Sequence, residues 1–448
     1  MMKKSMILSV VLAFVTTLCS YAQLNVGMDS YYLGDYEKAE ELIKKSMAEN
    51  PEMANYYLGG IAFSKGDVSE AESFYNEGLR VNAESVFNRI GLLSVKLKSN
   101  APGAERELTD VAKKNKKDVD VMLAIGRAYL QNGMAEQAMK QVDEAKKINN
   151  KKPEIYILEG DIVAAESKSE KGKGKGKAGE AAGKYEMAAY FSPDYLLAYM
   201  KVAQFYEHIN PMLAIEKLRT VIEKQPEYSP AYGYLGKLYT QQGFYPEAIA
   251  AFSTYFKAGI YAVEDTERCA RAYYFTDNYP EAAKLVEEGL GRNPKHFVLN
   301  RYKMYIADKT KNADQGMLTA NYFFSLRSDT GYIAKDYSVF ASILNQNKKY
   351  EDAFVQYNKA ISQEPANLDL YSEAASRARE DKHYAIAASY LKKQMEEKSK
   401  LSENTGYQDD VVDISTLGYD YYTTGVSITK NESLAEKLMN NANQYLKN

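Results

Sequence analysis

No tryptophan occurs among the 448 residues, and there are only three histidines and two cysteines. Cys19 and Cys269 cannot build a disulfide scaffold or a cysteine zinc cluster. His208, His296 and His383 are widely separated and show no metal-ligand spacing, so each reads as a surface or loop-edge residue. Glycine (27) and proline (11) are too few for a collagen-like or proline-rich fibre. There is no excess of one charge: the formal net charge is −3, which argues against a nucleic-acid partner. Long apolar runs are missing apart from one of 12 residues, Ile7 to Leu18, too short to cross about 30 Å of hydrocarbon as a helix. There is no G-x-S-x-G, no Walker loop and no H-E-x-x-H. With these absences we expect no catalytic residue, no cofactor and no metal site, and hence no enzyme. What is abundant is tyrosine, 39 residues of it.

Residues 1–22 read as a secretory signal peptide. Lys3 and Lys4 precede the apolar run, and Ser20-Tyr21-Ala22 places small residues at −3 and −1 of a cleavage site before Gln23. Export is therefore expected, to a periplasmic location. Cys19 leaves a second outcome open, lipidation and association with the outer membrane, although Leu18 is larger than the residue usual before a lipidated cysteine. After cleavage Cys269 is the only cysteine, so stability must come from packing rather than from an internal disulfide.

The rest of the chain is periodic. Alanines occur at 39, 71, 104, 138, 181, 214, 248, 282, 353, 387 and 435, with spacings of 32, 33, 34, 43, 33, 34, 34, 71, 34 and 48. The 71 spans two periods, with a degenerate copy near Gly316, and the 43 and 48 contain insertions of 9 and 14 residues. Twelve residues before the alanine stands a small residue (Gly27, Gly59, Gly126, Gly236, Ala270, Ala341, Ala375). Nine before it an aromatic recurs (Tyr129, Phe205, Tyr239, Tyr273). Four after it is a bulky side chain (Ile43, Tyr75, Leu218, Phe252, Tyr357), and twelve after it a proline (Pro51, Pro193, Pro226, Pro294, Pro365). Within each unit apolar residues recur at i, i+3, i+4 and i+7, the helical period.

This pattern resembles the tetratricopeptide repeat (TPR), whose helix–turn–helix unit is 34 residues long. The match is close along Tyr232-Gly233-Tyr234-Leu235-Gly236-Lys237-Leu238-Tyr239 with Ala248 and Phe252. Tyr156, Tyr232, Tyr337 and Tyr371 stand where the family often has tryptophan. The resemblance covers residues 23–448 and implies an all-α solenoid, a right-handed superhelix of about twelve helix pairs with a concave groove lined by first helices. The physics agrees. Small residues let paired helices approach, aromatics fill the space between units, and proline closes the second helix. Cys269 then falls on a core-facing position and reads as a small buried hydrophobe.

Lys171-Gly172-Lys173-Gly174-Lys175-Gly176-Lys177, in the insertion at about 168–179, should be a solvated loop. It reads either as a tolerated insertion or as a basic tether for an anionic partner. A polar insertion at about 397–410 leads to a terminal unit, about 411–448, read as the solvent-facing cap.

The expected function is non-catalytic: a scaffold that binds protein or peptide partners through the groove. Two alternatives stay open, an assembly factor attached peripherally to a membrane or envelope complex, and a glycan- or peptidoglycan-binding envelope protein. Groove positions carried over from the family give the candidates Tyr199, Tyr206, Lys237, Arg271, Tyr274, Arg301 and Tyr305, with Arg127 as a weaker one. Lys237 and Arg271 hold equivalent places in consecutive units, and such cations could hold an acidic peptide or a terminal carboxylate.

Overall fold

The structure, a computed structural model, describes residues 24–169, 177–327 and 330–405. The expected signal peptide, Ala435 and the terminal unit lie outside these residues, as do residues 170–176 of the Lys-Gly insertion. Among the described residues there are 22 helices and no strand. They are α1 (24–33), α2 (Tyr36–Ser46), α3 (Pro51–Lys65), α4 (Val68–Val81), α5 (Val86–Lys98), α6 (Ala104–Lys114), α7 (Val119–Gln131), α8 (Ala135–Ile148), α9 (Pro153–Ser169), α10 (Lys177–Phe191) and α11 (Leu196–Tyr206). The series continues with α12 (Pro211–Lys224), α13 (Ser229–Gln242), α14 (Tyr245–Phe256), α15 (Val263–Phe275), α16 (Tyr279–Arg292), α17 (Phe297–Lys309), α18 (Ala313–Ser325), α19 (Ala334–Gln346), α20 (Tyr350–Gln363), α21 (Leu368–Glu380) and α22 (Tyr384–Thr405). The chain divides into two compact units, Met1–Ala272 and Tyr273–Asn448.

In both units the solenoid arises from one local device repeated. Odd-numbered helices are the first of each pair and even-numbered helices the second. In the first unit α3 packs on α4, α7 on α8, α9 on α10, α11 on α12 and α13 on α14; in the second, α17 packs on α18, α19 on α20 and α21 on α22. First helices also touch the next first helix, as in α3 with α5, α5 with α7, α7 with α9 and α17 with α19. Most of these pairs turn on a residue with left-handed backbone, the α11–α12 turn being an exception. Gly66 (φ 89°), Gly133 (φ 75°) and Gly243 (φ 77°) fill that place without a Cβ penalty, while Asn100, Asp277, Lys311, Lys348 and Lys382 occupy it elsewhere. Polar caps then start the following helix: Asp67 accepts from the Glu70 N–H at 2.9 Å, and Asp118 accepts from those of Asp120 and Val121 at 2.9 and 3.2 Å.

The ten periodic alanines from Ala39 to Ala387 all lie on second helices and are 0–1% exposed. Their bulky partners four residues on are equally enclosed: Ile43, Phe252, Leu218 and Tyr357 are at 0% and Tyr75 at 2%. The small residue of the first helix faces that partner. A Cβ on Gly59 would lie 2.5 Å from the Tyr75 ring, and one on Gly236 2.8 Å from the Phe252 ring. Gly160 does the same work against Tyr185 within its pair, while Gly91 on α5 meets Tyr75 of the preceding pair. The 9-residue insertion within its pair displaces Gly160 from the alanine phase, and Gly91 answers to a residue of another pair, which is why the pattern omits them. Two of the tyrosines in the tryptophan slot share a bond: Tyr156 and Tyr371 each donate to the carbonyl six residues back, of Asn150 (2.6 Å) and Pro365 (3.0 Å). Cys269 is 2% exposed on α15.

Two expectations need correction. Pro51 does not close α2; it is the first residue of α3, where a missing N–H costs nothing. Pro193, Pro226, Pro294 and Pro365 do stand two residues beyond helix ends. The polar insertion at 397–410 is not wholly a link, because residues up to Thr405 continue α22 as one helix of 22 residues; residues 406–410 lie outside the described ones.

Candidate binding clefts on the first-helix face

In the first unit the first-helix face is crossed by α1. Tyr228 donates its hydroxyl to Asp29 at 2.7 Å, Gln204 Nε2 donates to the Leu33 carbonyl at 2.9 Å, and Gln131 Nε2 to the Tyr31 hydroxyl at 3.0 Å. The Arg127 guanidinium lies over the Tyr32 ring at 4.1 Å, and Lys38 Nζ over the Tyr255 ring at 4.4 Å. Around α1 the rings of Tyr31, Tyr32, Tyr56 and Tyr57 pack edge to face or tilted, with centroids 5.1–6.1 Å apart. The expected continuous groove is therefore divided here into two clefts. The reason is that tyrosines and glutamines outside the repeat slots find partners on the opposite wall.

The first cleft, about 530 Å³, runs between the α1–α2 corner and α11, α13 and α15. Its charges are mixed. Arg268 pairs with Asp265 at 2.8 Å. Burial raises both Asp35 and Asp265 above the usual carboxylate range and pushes Lys38 down to about 8 despite the two carboxylates near it. Lys237 lines this cleft and is bound to Glu207 at 2.7 Å. Glu207 is 6% exposed and also accepts from Tyr234 (2.5 Å) and Gln241 (3.3 Å). Burial pushes its carboxyl up, but these donors outweigh burial and hold it below its usual range.

The second cleft, about 680 Å³, is formed by α1, α3, the start of α5, α7 from Asp120 to Arg127, the start of α9, and the residues around the starts of α11 and α13. Its walls are aromatic and acidic, including Tyr32, Tyr195, Tyr228, Asp29 and Glu154, with Arg127 as its one lining cation among the described residues. Burial lifts Asp29 to about 6 against the lowering effect of the Tyr228 hydrogen bond.

The sequence candidates separate. Tyr199, Tyr206, Lys237 and Arg271 belong to the first unit, and Tyr274, Arg301 and Tyr305 to the second. Tyr199 is half-buried with Lys224 Nζ 5.8 Å from its ring centre, and Tyr206 is half-buried against the core. Arg271 is half-buried, and its Nε has no hydrogen-bond partner among the described residues. Tyr274 is 8% exposed and packs on the Tyr302 and Tyr305 rings. Arg301 grips the fully buried Asp336 through Nε (2.8 Å) and Nη2 (2.9 Å), and Tyr305 donates to the same carboxylate at 2.6 Å. Arg301 and Tyr305 thus serve internal packing. Of the histidines, His208 is exposed, His296 caps α17, and His383 packs on Tyr350 and Phe354.

Comparison with known proteins agrees with this architecture. Two family profiles, both described as tetratricopeptide repeat, match residues 27–84 and 199–262 (one profile) and 98–162 (the other). The chain is a tetratricopeptide repeat protein. Among solved structures it is similar to a TPR protein from Parabacteroides merdae, at 16% identity over 58% of this chain and 98% of that one, with a TM-score of 0.38. It is also similar to yeast Tom70, at 12% identity over 94% and 99%, with a TM-score of 0.34. A third is YrrB, a TPR protein with an unusual peptide-binding site, at 16% identity over 43% and 95%, with a TM-score of 0.34. The TPR fold is that of a protein-interaction scaffold. The clefts of this TPR chain were missed in the sequence because α1 reaches residues 100 to 199 positions away. The doublets Tyr31-Tyr32 and Tyr56-Tyr57, outside the packing slots, were the available signal.

Proposed function

We propose that this TPR protein is a non-catalytic scaffold of the cell envelope that captures protein partners on its first-helix face. The observation that carries the reading is that face itself: in the first unit it holds two clefts of about 530 and 680 Å³, within the range of sites that enclose small ligands and peptide side chains. Lys237, which lines the first cleft, is the proposed contact residue there; Tyr199, Tyr206 and Arg271 line neither cleft and are proposed as further contacts of the first unit. Residues 1–22 support export, and among the described residues no helix is long and apolar enough to cross a membrane. Outer-membrane attachment through Cys19 is the alternative for location, and mass spectrometry of the mature N-terminus separates it from cleavage before Gln23.

The test is photo-crosslinking in intact cells. A crosslinking residue replaces Lys237 in the first cleft or, as control, Tyr190, which is 79% exposed on the second helix α10. Proteins captured from position 237 and absent from position 190 are expected. Equal capture at both positions overturns the reading.

A further inference from the structure

The second cleft has an unbalanced interior charge. Asp120 and Asp194 at its rim are already matched by Lys152 (2.7 Å) and Lys224 (3.4 Å). Deeper in the first unit, Asp161 accepts from Lys201 at 2.9 Å and interacts electrostatically with Arg127. Arg127 stays charged under any ordinary condition. That leaves two carboxylates, Asp29 and Glu154, which form no ion pair among the described residues. Asp29 has only the Tyr228 hydroxyl. One oxygen of Glu154, Oε2, is buried with no hydrogen-bond partner among the described residues. Three interior carboxylates thus face two interior cations, and a buried carboxylate oxygen without a donor is costly.

The surroundings specify what would satisfy it. Arg127 already lies over Tyr32, but Tyr195 and Tyr228 line the same cavity, and tyrosine faces attract ammonium and, better, planar guanidinium groups. A carboxylate beside an aromatic wall accepts a forked pair of N–H bonds from arginine. At about 680 Å³ the cleft is much larger than one guanidinium group, so it admits the peptide that carries it. An acidic ligand would meet Asp29 and Glu154 and be repelled.

We propose that the second cleft receives a basic side chain, an arginine or lysine of a protein partner, between the Asp29 and Glu154 carboxylates and the Tyr195 and Tyr228 rings. The inference rests on the scaffold reading and gives the partner's chemistry at this cleft. It is opposite in sign to the acidic ligand expected from the sequence at Lys237, which lines the first cleft.

The experiment is calorimetric titration of the full chain with two probes, acetyl-Gly-Arg-Tyr-Arg-Gly-amide and the same peptide with glutamate in place of arginine. The arginine peptide should bind about tenfold more tightly at low salt, with the preference shrinking as salt rises. Glu154→Gln should reduce the preference about fivefold while its circular dichroism stays that of the parent. Asp29→Asn serves as the second variant if Glu154→Gln is poorly folded. Equal binding of the two peptides, or an undiminished preference in the folded variant, overturns the inference. The crosslinking at position 237 is read separately. Capture there with no basic-peptide preference sinks only the charge assignment, whereas no capture there sinks the scaffold reading.

Discussion

Asp336 offers the sharpest test of how the second unit is held together. Its carboxylate is fully buried and accepts four bonds: from Arg301 Nε and Nη2, from the Tyr305 hydroxyl and from the Ile333 N–H at 2.9 Å. Asp336→Asn keeps the shape but removes the charge that balances Arg301, whose side chain is only 15% exposed. Breaking one side of such a pair costs about 3–5 kcal/mol, because the partner charge stays desolvated. An array opens locally, so a single unfolding midpoint is the wrong observable. Hydrogen exchange read by mass spectrometry on peptides of α17 and α19 is the right one. At about 3 kcal/mol the opening constant should rise by about a hundredfold in those helices. Adding Arg301→Met removes the stranded cation and should restore at least about 1 kcal/mol. Protection unchanged within about threefold in Asp336→Asn, or no recovery in the double variant, refutes the claim that Arg301 is committed to the interior.

Two further outcomes follow from the first unit. Gly59→Ala places a methyl group 2.5 Å from the Tyr75 ring, which is also hemmed in by Gly91, so a loss of about 1–3 kcal/mol is expected in denaturant titration; the same change at Gly179, with open space around its Cβ position, should cost far less. Asp29 titrates near 6 when folded and near 3.8 otherwise, so its stabilising share is complete below about pH 4 and is lost as pH rises through 6. Asp29→Asn should therefore leave the first unit more stable than the parent at pH 7, by about 3 kcal/mol, with the difference falling below about 1 kcal/mol near pH 4. Denaturant titrations of parent and variant at the two pH values measure this, and an equal difference at both contradicts it.

Helix pairing was legible because it is a steric rule repeated in most units. Ala71, Tyr75 and Gly59 must appear together or the two helices cannot close, so the spacing betrays the fold. Gly160 escaped because inserted residues break the count, not the contact, and Gly91 because its partner Tyr75 belongs to the preceding pair. The candidate site was legible only in part. Asp336 stands 35 residues after Arg301, about one period, so that ion pair could have been read as a bond between neighbouring pairs. The pairing of Asp29 with Tyr228 could not: it spans 199 residues and depends on the curvature accumulated over several repeats. No local spacing encodes that sum.

The crossing of α1 over the first-helix face also changes how this unit must fold. A solenoid with only neighbour contacts can nucleate anywhere and grow pair by pair. Here the first helix meets the chain again at Gln131, Gln204 and Tyr228, at separations of 100, 171 and 199 residues. Such distant closures raise the contact order and slow the final step. They also tie the earliest pair to pairs synthesised much later. A chain shortened before Tyr228 would lose bonds at its opposite end, so the first unit should melt as one cooperative body rather than fray from its termini.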